Sequence, residues 1–410
     1  LSGFYLIQNA FIPLFLVLKE VKVMTTYKII IVGSRGAGKT LLLASMHHQL
    51  FQPGKYQIFL ECDDKNTVTH SDGRQMTPRQ LLVERYAKLA DPSKDFEPGT
   101  VDIEEWHFRC KVQIGFKEFT ACDFLYLDYA GGDINKSNNP KLTQYLDEAD
   151  ILLPLLNGET ILSLMRGEQD GYKNLLEDLG NMLPKMRTKV NPVHFVISKW
   201  DILEGEFSLQ EVKDRLLEEE TFSNFVKNRL RSNSSVRLIP VSAVGMEFAE
   251  LQDGKMIKIP KGRLKPYQVE MPLACVLPDR VKSELQQIID RKKNINNKPI
   301  DTSTEVGFWN SLLETVGNAT EWFRQEIVPE LPPEIRGLSN DILKKCVEAA
   351  KAGAQQTREQ QEARIIKQKD DMEKSLQAVK DEETALAHAI DVFLAMQTQL
   401  DRDFPASQFN

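Results

Sequence analysis

Cysteine is scarce. Cys62, Cys110, Cys122, Cys275 and Cys346 are the five in 410 residues, and no two form a C-x-x-C pair. That excludes a disulfide framework or a zinc site as the organising principle, and it fits a reducing compartment such as the cytoplasm. Positive charge is also in deficit: 52 Lys and Arg stand against 59 Asp and Glu, a net charge of −7, with a pI near 5.6. Nucleic acid is therefore not expected as a partner, and a membrane surface is possible but not favoured, since both attract basic proteins.

Long apolar runs are missing as well. The longest, Phe4 to Leu18, is about 15 residues, is interrupted by Gln8, Asn9 and Pro13, and falls short of the ~20 that span a bilayer. No basic residue precedes it and no small-residue cleavage pattern follows, which argues against a signal peptide. The chain opens on Leu1. A fragment, or a translation through a non-standard or misassigned start with Met24 as the natural beginning, is the expectation, and residues 1–23 are expected to form an unordered or surface-packed leader.

What remains is the composition of an ordinary soluble globular protein, 41% hydrophobic and 27% charged. Its length suits one large domain plus an accessory region. The β-branched run ending at Gly33 reads as a buried strand, and a helical pattern follows from Lys39 to Leu50. Thr77-Pro78 opens a second helix to Ala90. Glu105–Phe116 alternates, with Trp106, Phe108, Cys110, Val112 and Ile114 on one face, and Ala121–Asp128 is a more continuous strand. Further strands at Ile151–Leu156, Val193–Ile197 and Val236–Val241 are separated by helical patterns, so the fold class is α/β with a mostly parallel sheet. The last helix of this unit runs from near Pro278 to Arg291, which places one domain over 24–291 and a polar linker over 292–305.

From 306 onward the pattern is helical. Trp309, Trp322 and Phe323 read as core rather than as a membrane patch. Ile365, Met372, Val379, Leu386, Phe393 and Leu400 recur every seven residues, while Lys369, Glu383 and Gln397 occupy the other half of the seam. That predicts an imperfect helical hairpin or coiled coil, able to bind a protein partner or to self-associate.

The chemistry lies in the first two-thirds. Gly33-Ser34-Arg35-Gly36-Ala37-Gly38-Lys39-Thr40 fits G-x-x-x-x-G-K-[ST] directly between strand and helix. Backbone N–H groups of such a loop cradle phosphates at a helix N-terminus, Lys39 would reach the β- and γ-phosphates, and the Thr40 hydroxyl would hold Mg²⁺. Ser198-Lys199-Trp200-Asp201 follows one later strand and Ser242-Ala243-Val244-Gly245 follows another.

With these motifs the chain resembles the TRAFAC-class P-loop GTPases, whose guanine motif is [NT]-K-x-D and whose last motif is S-A-x. The resemblance covers residues 24–291 and implies a P-loop NTPase fold binding GTP or GDP. It makes Asp201 the acceptor of the guanine N1–H and N2–H₂ donors, lays the Lys199 stem along the base, and brings the Ala243 N–H to the guanine O6. Ser198 departs from the usual Asn or Thr, but its hydroxyl can keep some tethering to the phosphate loop. The same resemblance makes Asp128-Tyr129-Ala130-Gly131 the D-x-x-G motif, with Asp128 near Mg²⁺ through water and the Gly131 N–H at the γ-phosphate. Thr100 is the preferred switch threonine, over Thr67, Thr69 and Thr77. Lys39 and Asp128 lie about twice as far apart as in a small GTPase, which implies an insertion around 52–95.

Gly132 occupies the position where small GTPases often carry a water-orienting Gln, and Arg35 is a candidate finger in cis if it does not simply face solvent. Dynamin-like GTPases also use a polar residue near that position. The segments Pro240–Gly245 and Pro266–Leu273 further resemble bacterial double-GTPase-type proteins. The implied function is a Mg²⁺-dependent GTPase switch read by the helical tail. A dynamin-like membrane mechanoenzyme, a scaffold with little turnover, and, more weakly, use of ATP are the alternatives.

Overall fold

In a computed structural model the protein is described over residues 26–54, 57–64, 67–69, 73–96, 104–128, 140–186, 191–252, 254–292, 300–301, 304–354 and 358–409. The strands are β1 (Thr26–Gly33), β2 (Ile58–Cys62), β3 (Val68–Thr69), β4 (Gln75–Met76), β5 (Glu104–Ile114), β6 (Lys117–Asp128), β7 (Ile151–Leu156), β8 (Val193–Ile197), β9 (Val236–Pro240), β10 (Ala249–Gln252) and β11 (Lys255–Lys258). Seven of them form one sheet in the order β2-β5-β6-β1-β7-β8-β9. The five from β6 to β9 run parallel, while β5 is antiparallel to both of its neighbours.

Helices cover both faces of this sheet: α1 (Lys39–Leu50), α2 (Pro78–Ala90), α3 (Pro140–Glu148), α4 (Gly158–Met165), α5 (Gln169–Met182), α6 (Leu209–Leu217), α7 (Glu220–Arg231), α8 (Met271–Ala274) and α9 (Val276–Arg291). Strand β1 shows why its sequence is apolar at every step. Ile29 and Ile31 enter the core shared with α1 and α9, whereas Ile30 and Val32 enter the opposite core shared with α4 to α7, because successive side chains point to opposite faces. Boundaries are set locally. A capping box between Thr77 and Gln80 with Pro78 behind it starts α2, and Ser208 with Glu211 starts α6 in the same way.

The C-terminal region comprises α10 (Glu305–Gly317), α11 (Pro333–Arg336), α12 (Asn340–Ala354), α13 (Arg358–Gln377) and α14 (Glu382–Asp403). It shares the core of the sheet. Trp309, Phe323, Val347, Phe393 and Leu400 belong to the same apolar cluster as Tyr27, Phe108 and Phe124, and the Phe393 ring meets Phe124 of β6 edge-on at 6.2 Å. Burying a side chain such as Phe393 is worth about 1.5–3 kcal/mol. The seven-residue recurrence crosses the break between α13 and α14, so it is divided between two paired helices, and the α14 part faces the sheet. Beyond α14 the chain lies along the outer edge of β9, where Gln408 bridges Arg237 and the Phe409 N–H donates to the Val236 carbonyl. That closes the open edge. Of the predicted linker, Lys292 is tied to Glu326 and Glu330, and residues 293–299 and 302–303 lie outside the described residues.

Candidate functional site

Four predicted motifs leave the sheet at one edge, the C-terminal ends of the parallel strands. The glycine loop follows β1, Asp128 ends β6, Ser198–Asp201 follows β8, and Ser242–Gly245 comes just beyond β9. The neighbours of β1 are β6 on one side and β7 on the other, which makes its end the topological switch point where open α/β sheets bind ligands.

The loop's conformation explains its composition. Gly36 and Gly38 have φ of 83° and 86°, a region that glycine enters without steric cost. A Cβ on Gly33 would stand 2.9 Å from the Leu155 carbonyl oxygen of β7. The Lys39 ammonium, almost wholly buried, folds back over the loop and donates to the carbonyls of Gly33 (3.0 Å) and Ser34 (3.1 Å). Ala37 is buried, its N–H bonded to the Ser34 carbonyl at 3.2 Å. Thr40 sits in the first turn of α1, and Arg35 is exposed at the rim.

Asp178 of α5 was not singled out by sequence, yet it accepts a hydrogen bond from the Ser34 hydroxyl at 3.2 Å. Burial raises its pKa, while the Ser34 hydrogen bond and the Lys39 charge oppose the rise.

The second half of the site is a turn after β8. Lys199 has φ of 53°, an uncommon conformation for a residue with a side chain and one that is found at functional sites. Its ammonium pairs with Glu159 of α4 at 2.8 Å. A Cβ on Gly158 would meet the Ser198 carbonyl oxygen at 2.3 Å, so glycine is what lets α4 approach this turn. The Ser198 hydroxyl donates to the Leu156 carbonyl of β7 at 3.2 Å. The link toward the glycine loop runs instead from the Ser45 hydroxyl of α1 to the Ala243 carbonyl, at 2.8 Å.

Asp201 is the feature with the clearest chemical demand. Both of its carboxylate oxygens are shut off from solvent and neither has a hydrogen bond of good geometry, the Ser242 hydroxyl and the Asp201 N–H being the nearby donors. Burial raises its pKa, with the nearby Ser242 hydroxyl and Lys199 working the other way. Ser242 itself accepts from the N–H groups of Val244 (3.2 Å) and Gly245 (2.8 Å), which curls the loop around its hydroxyl. Gly245, at φ 85°, is fixed by close packing, since a Cβ there would lie 1.9 Å from the Lys265 carbonyl oxygen.

Thr100 and Gly131, with Gly132, lie outside the described residues, and Asp128 is described for its backbone alone, paired in register with Ile31 of β1. Among the described residues no three His, Cys, Asp or Glu side chains gather as a metal site. Mg²⁺ does not require such a cage, because it is commonly held by one or two protein oxygens plus substrate phosphates. The Thr40 hydroxyl is a hard oxygen donor of that kind. A separate cavity of about 380 Å³, lined by Glu61, Asp63, Arg79, Arg109 and Asp123 among others, lies at the opposite, N-terminal end of β1.

No protein-family model matches the chain, and a search of curated proteins finds no match either. Among the described residues no helix is long and apolar enough to cross a membrane.

Proposed function

We propose that the protein is a Mg²⁺-dependent GTPase of the TRAFAC P-loop class, binding GTP and GDP and switching between them. The observation that carries this reading is the Asp201 carboxylate, buried with both oxygens unsatisfied beside the Ser242–Gly245 loop. An unpaired buried carboxylate is costly. Guanine offers N1–H and N2–H₂ side by side, and adenine has no such pair, so a carboxylate at this place selects the base. The glycine loop at the same sheet edge supplies the phosphate half.

On binding, Lys39 exchanges the Gly33 and Ser34 carbonyls for phosphate oxygens. Thr40, with Asp128 at the end of β6, would hold Mg²⁺, which supplies charge neutralisation at the phosphates. Water attacks the γ-phosphorus, the bond to the β–γ bridging oxygen breaks, and GDP and phosphate leave. Arg35, exposed on the loop's rim, is the group available to place positive charge at that bridge. Thr100 and Gly131 remain the proposed γ-phosphate sensors. The five cysteines are free and buried, although Cys110 and Cys122 oppose each other across β5 and β6, which suits a cytoplasmic protein.

A scaffold that binds nucleotide with little turnover is the second reading, favoured by Gly132 at the usual Gln position. A dynamin-like stalk is disfavoured because α14 lies on the sheet rather than extending from it. Calorimetry with GTP, GDP, ATP and ADP, plus single-turnover hydrolysis, tests all of these. Guanine-selective binding with turnover that Arg35→Ala abolishes supports the GTPase, selective binding without turnover supports the scaffold, and no guanine preference sinks both.

A further inference from the structure

We infer that the end of α14 sets base selectivity: Phe404 is a positioning residue for Asp201, acting through Trp200. This rests on the guanine reading above. Trp200 stands between the two. Its backbone N–H donates to the Val241 carbonyl at 3.0 Å, and its backbone carbonyl accepts from the Leu203 and Glu204 N–H groups, both at 2.9 Å, so the turn carrying Asp201 is wound around this one residue. The indole is 2% exposed, and the Phe404 ring meets it edge-on at 6.2 Å and 87°. An edge-to-face pair fixes orientation as well as distance.

Phe404 is held from both sides. Its N–H bonds to the Leu400 carbonyl at 2.7 Å, and its carbonyl accepts from Ser407 at 2.8 Å. Upstream, α14 is fastened to helix α9 and to β9, the strand that leads into the Ser242 loop: Gln397 donates to Asp279 of α9 at 3.0 Å, and Asp401 accepts from Arg237 of β9 at 2.6 Å. Downstream, the Phe409 ring packs on Phe222 and under the Lys213 ammonium. Residues about two hundred positions apart thus form one wall behind the base-reading turn. Sub-ångström displacement of that turn would open the paired hydrogen bonds to guanine, whereas the glycine loop, on β1, is fastened separately. Linkage then makes the effect reciprocal: base binding must strengthen the docking of the last turn of α14.

The test compares affinities for GDP and IDP, which differ only by the 2-amino group, in the full chain. Phe404→Leu should lower the GDP-over-IDP ratio roughly fivefold, the worth of one hydrogen bond, and Phe404→Tyr should restore it. Phe409→Leu, which loosens the same segment without touching Trp200, should leave the ratio unchanged. In wild type, GDP should slow amide exchange across 400–404 and IDP should do so less. A Phe404→Leu ratio equal to wild type overturns the proposal while leaving the guanine reading intact, and so does a Phe409→Leu ratio that falls as far. A wild-type protein with no preference for GDP over ADP overturns both. If Phe404→Leu does not fold, the exchange comparison on wild type decides alone, and equal protection by GDP and IDP is then the refuting result.

Discussion

The hydroxyl of Ser45, in the second turn of the helix after the glycine loop, donates to the carbonyl of Ala243 on the loop beyond β9, at 2.8 Å. This bond joins the helix after β1 to the loop after β9, and so the proposed phosphate half of the site to the proposed base half, past the two intervening strands β7 and β8. It also fixes the carbonyl side of Ala243, the peptide next to the one whose N–H is the expected partner of guanine O6. Ser45→Ala should weaken GDP binding about fivefold, as one lost hydrogen bond allows, while pyrophosphate binding changes less. Calorimetry with the two ligands checks the difference.

Lys39 gives the opposite pattern. Its ammonium is buried over the Gly33 and Ser34 carbonyls and is the group proposed to meet phosphate. Lys39→Met should reduce GDP and GTP affinity by roughly tenfold or more, the scale of a hydrogen bond to a charged group. Guanosine binding should be unchanged, because that ligand has no phosphate to lose. Equal weakening for nucleoside and nucleotide would mean that Lys39 shapes the loop without meeting phosphate.

Asp201 links stability to pH with a definite sign. Burial raises its pKa in the fold above the ordinary 3.8, so the native state holds its proton more tightly than the unfolded chain. Its contribution to stability is therefore lost as pH rises from about 3.8 through the raised value. Asp201→Asn should remove that slope, leaving the nucleotide-free variant more stable than wild type at neutral pH while abolishing guanine preference. GDP binding to wild type should fade as the pH drops through the same window, since only the carboxylate accepts both guanine donors. Urea unfolding and calorimetry across pH 4–7, wild type against variant, isolate this group from Asp150 and Asp178, whose pKa values are raised too.

Much of this site was legible because strand, loop and helix starts are local signals. Ile29–Val32 and Gly36–Lys39 carry their roles in adjacent residues, and the alternation Trp106, Phe108, Cys110, Val112 marks a face that is indeed buried. The seven-residue recurrence predicts a helical hairpin, and α13 pairs with α14, but periodicity states that a stripe is apolar and not everything that covers it: α14 also packs on β6. Gln397 looked like a flaw in that seam and is instead a hydrogen-bond donor to Asp279. Asp178, Glu159 and Phe404 carry no motif at all, and only the tertiary fold brings them to the site.

Asp279 shows how firmly the helical region is joined to the sheet. Its carboxylate is fully enclosed and accepts from Arg237, from His194 Nε2 at 2.9 Å and from Gln397 at 3.0 Å. Burial alone would raise its pKa, but the Arg237 guanidinium and His194 outweigh that and hold it well below the usual carboxylate range. The sign is thus opposite to that of Asp201: the contribution is present above about 3.8 and is lost as pH falls below it. Asp279→Asn leaves the Arg237 charge buried with Asp401 as its remaining carboxylate partner, which should cost about 3–5 kcal/mol at neutral pH. The loss should shrink in acid, where wild type surrenders the same interaction. Because the network spans β8, β9, α9 and α14, wild-type urea unfolding followed by α-helical signal and by the fluorescence of its four tryptophans, in the sheet and in the helical region alike, should give one coincident transition. An early, separate loss of helix in wild type would mean that α14 is held to the sheet more weakly than these contacts imply.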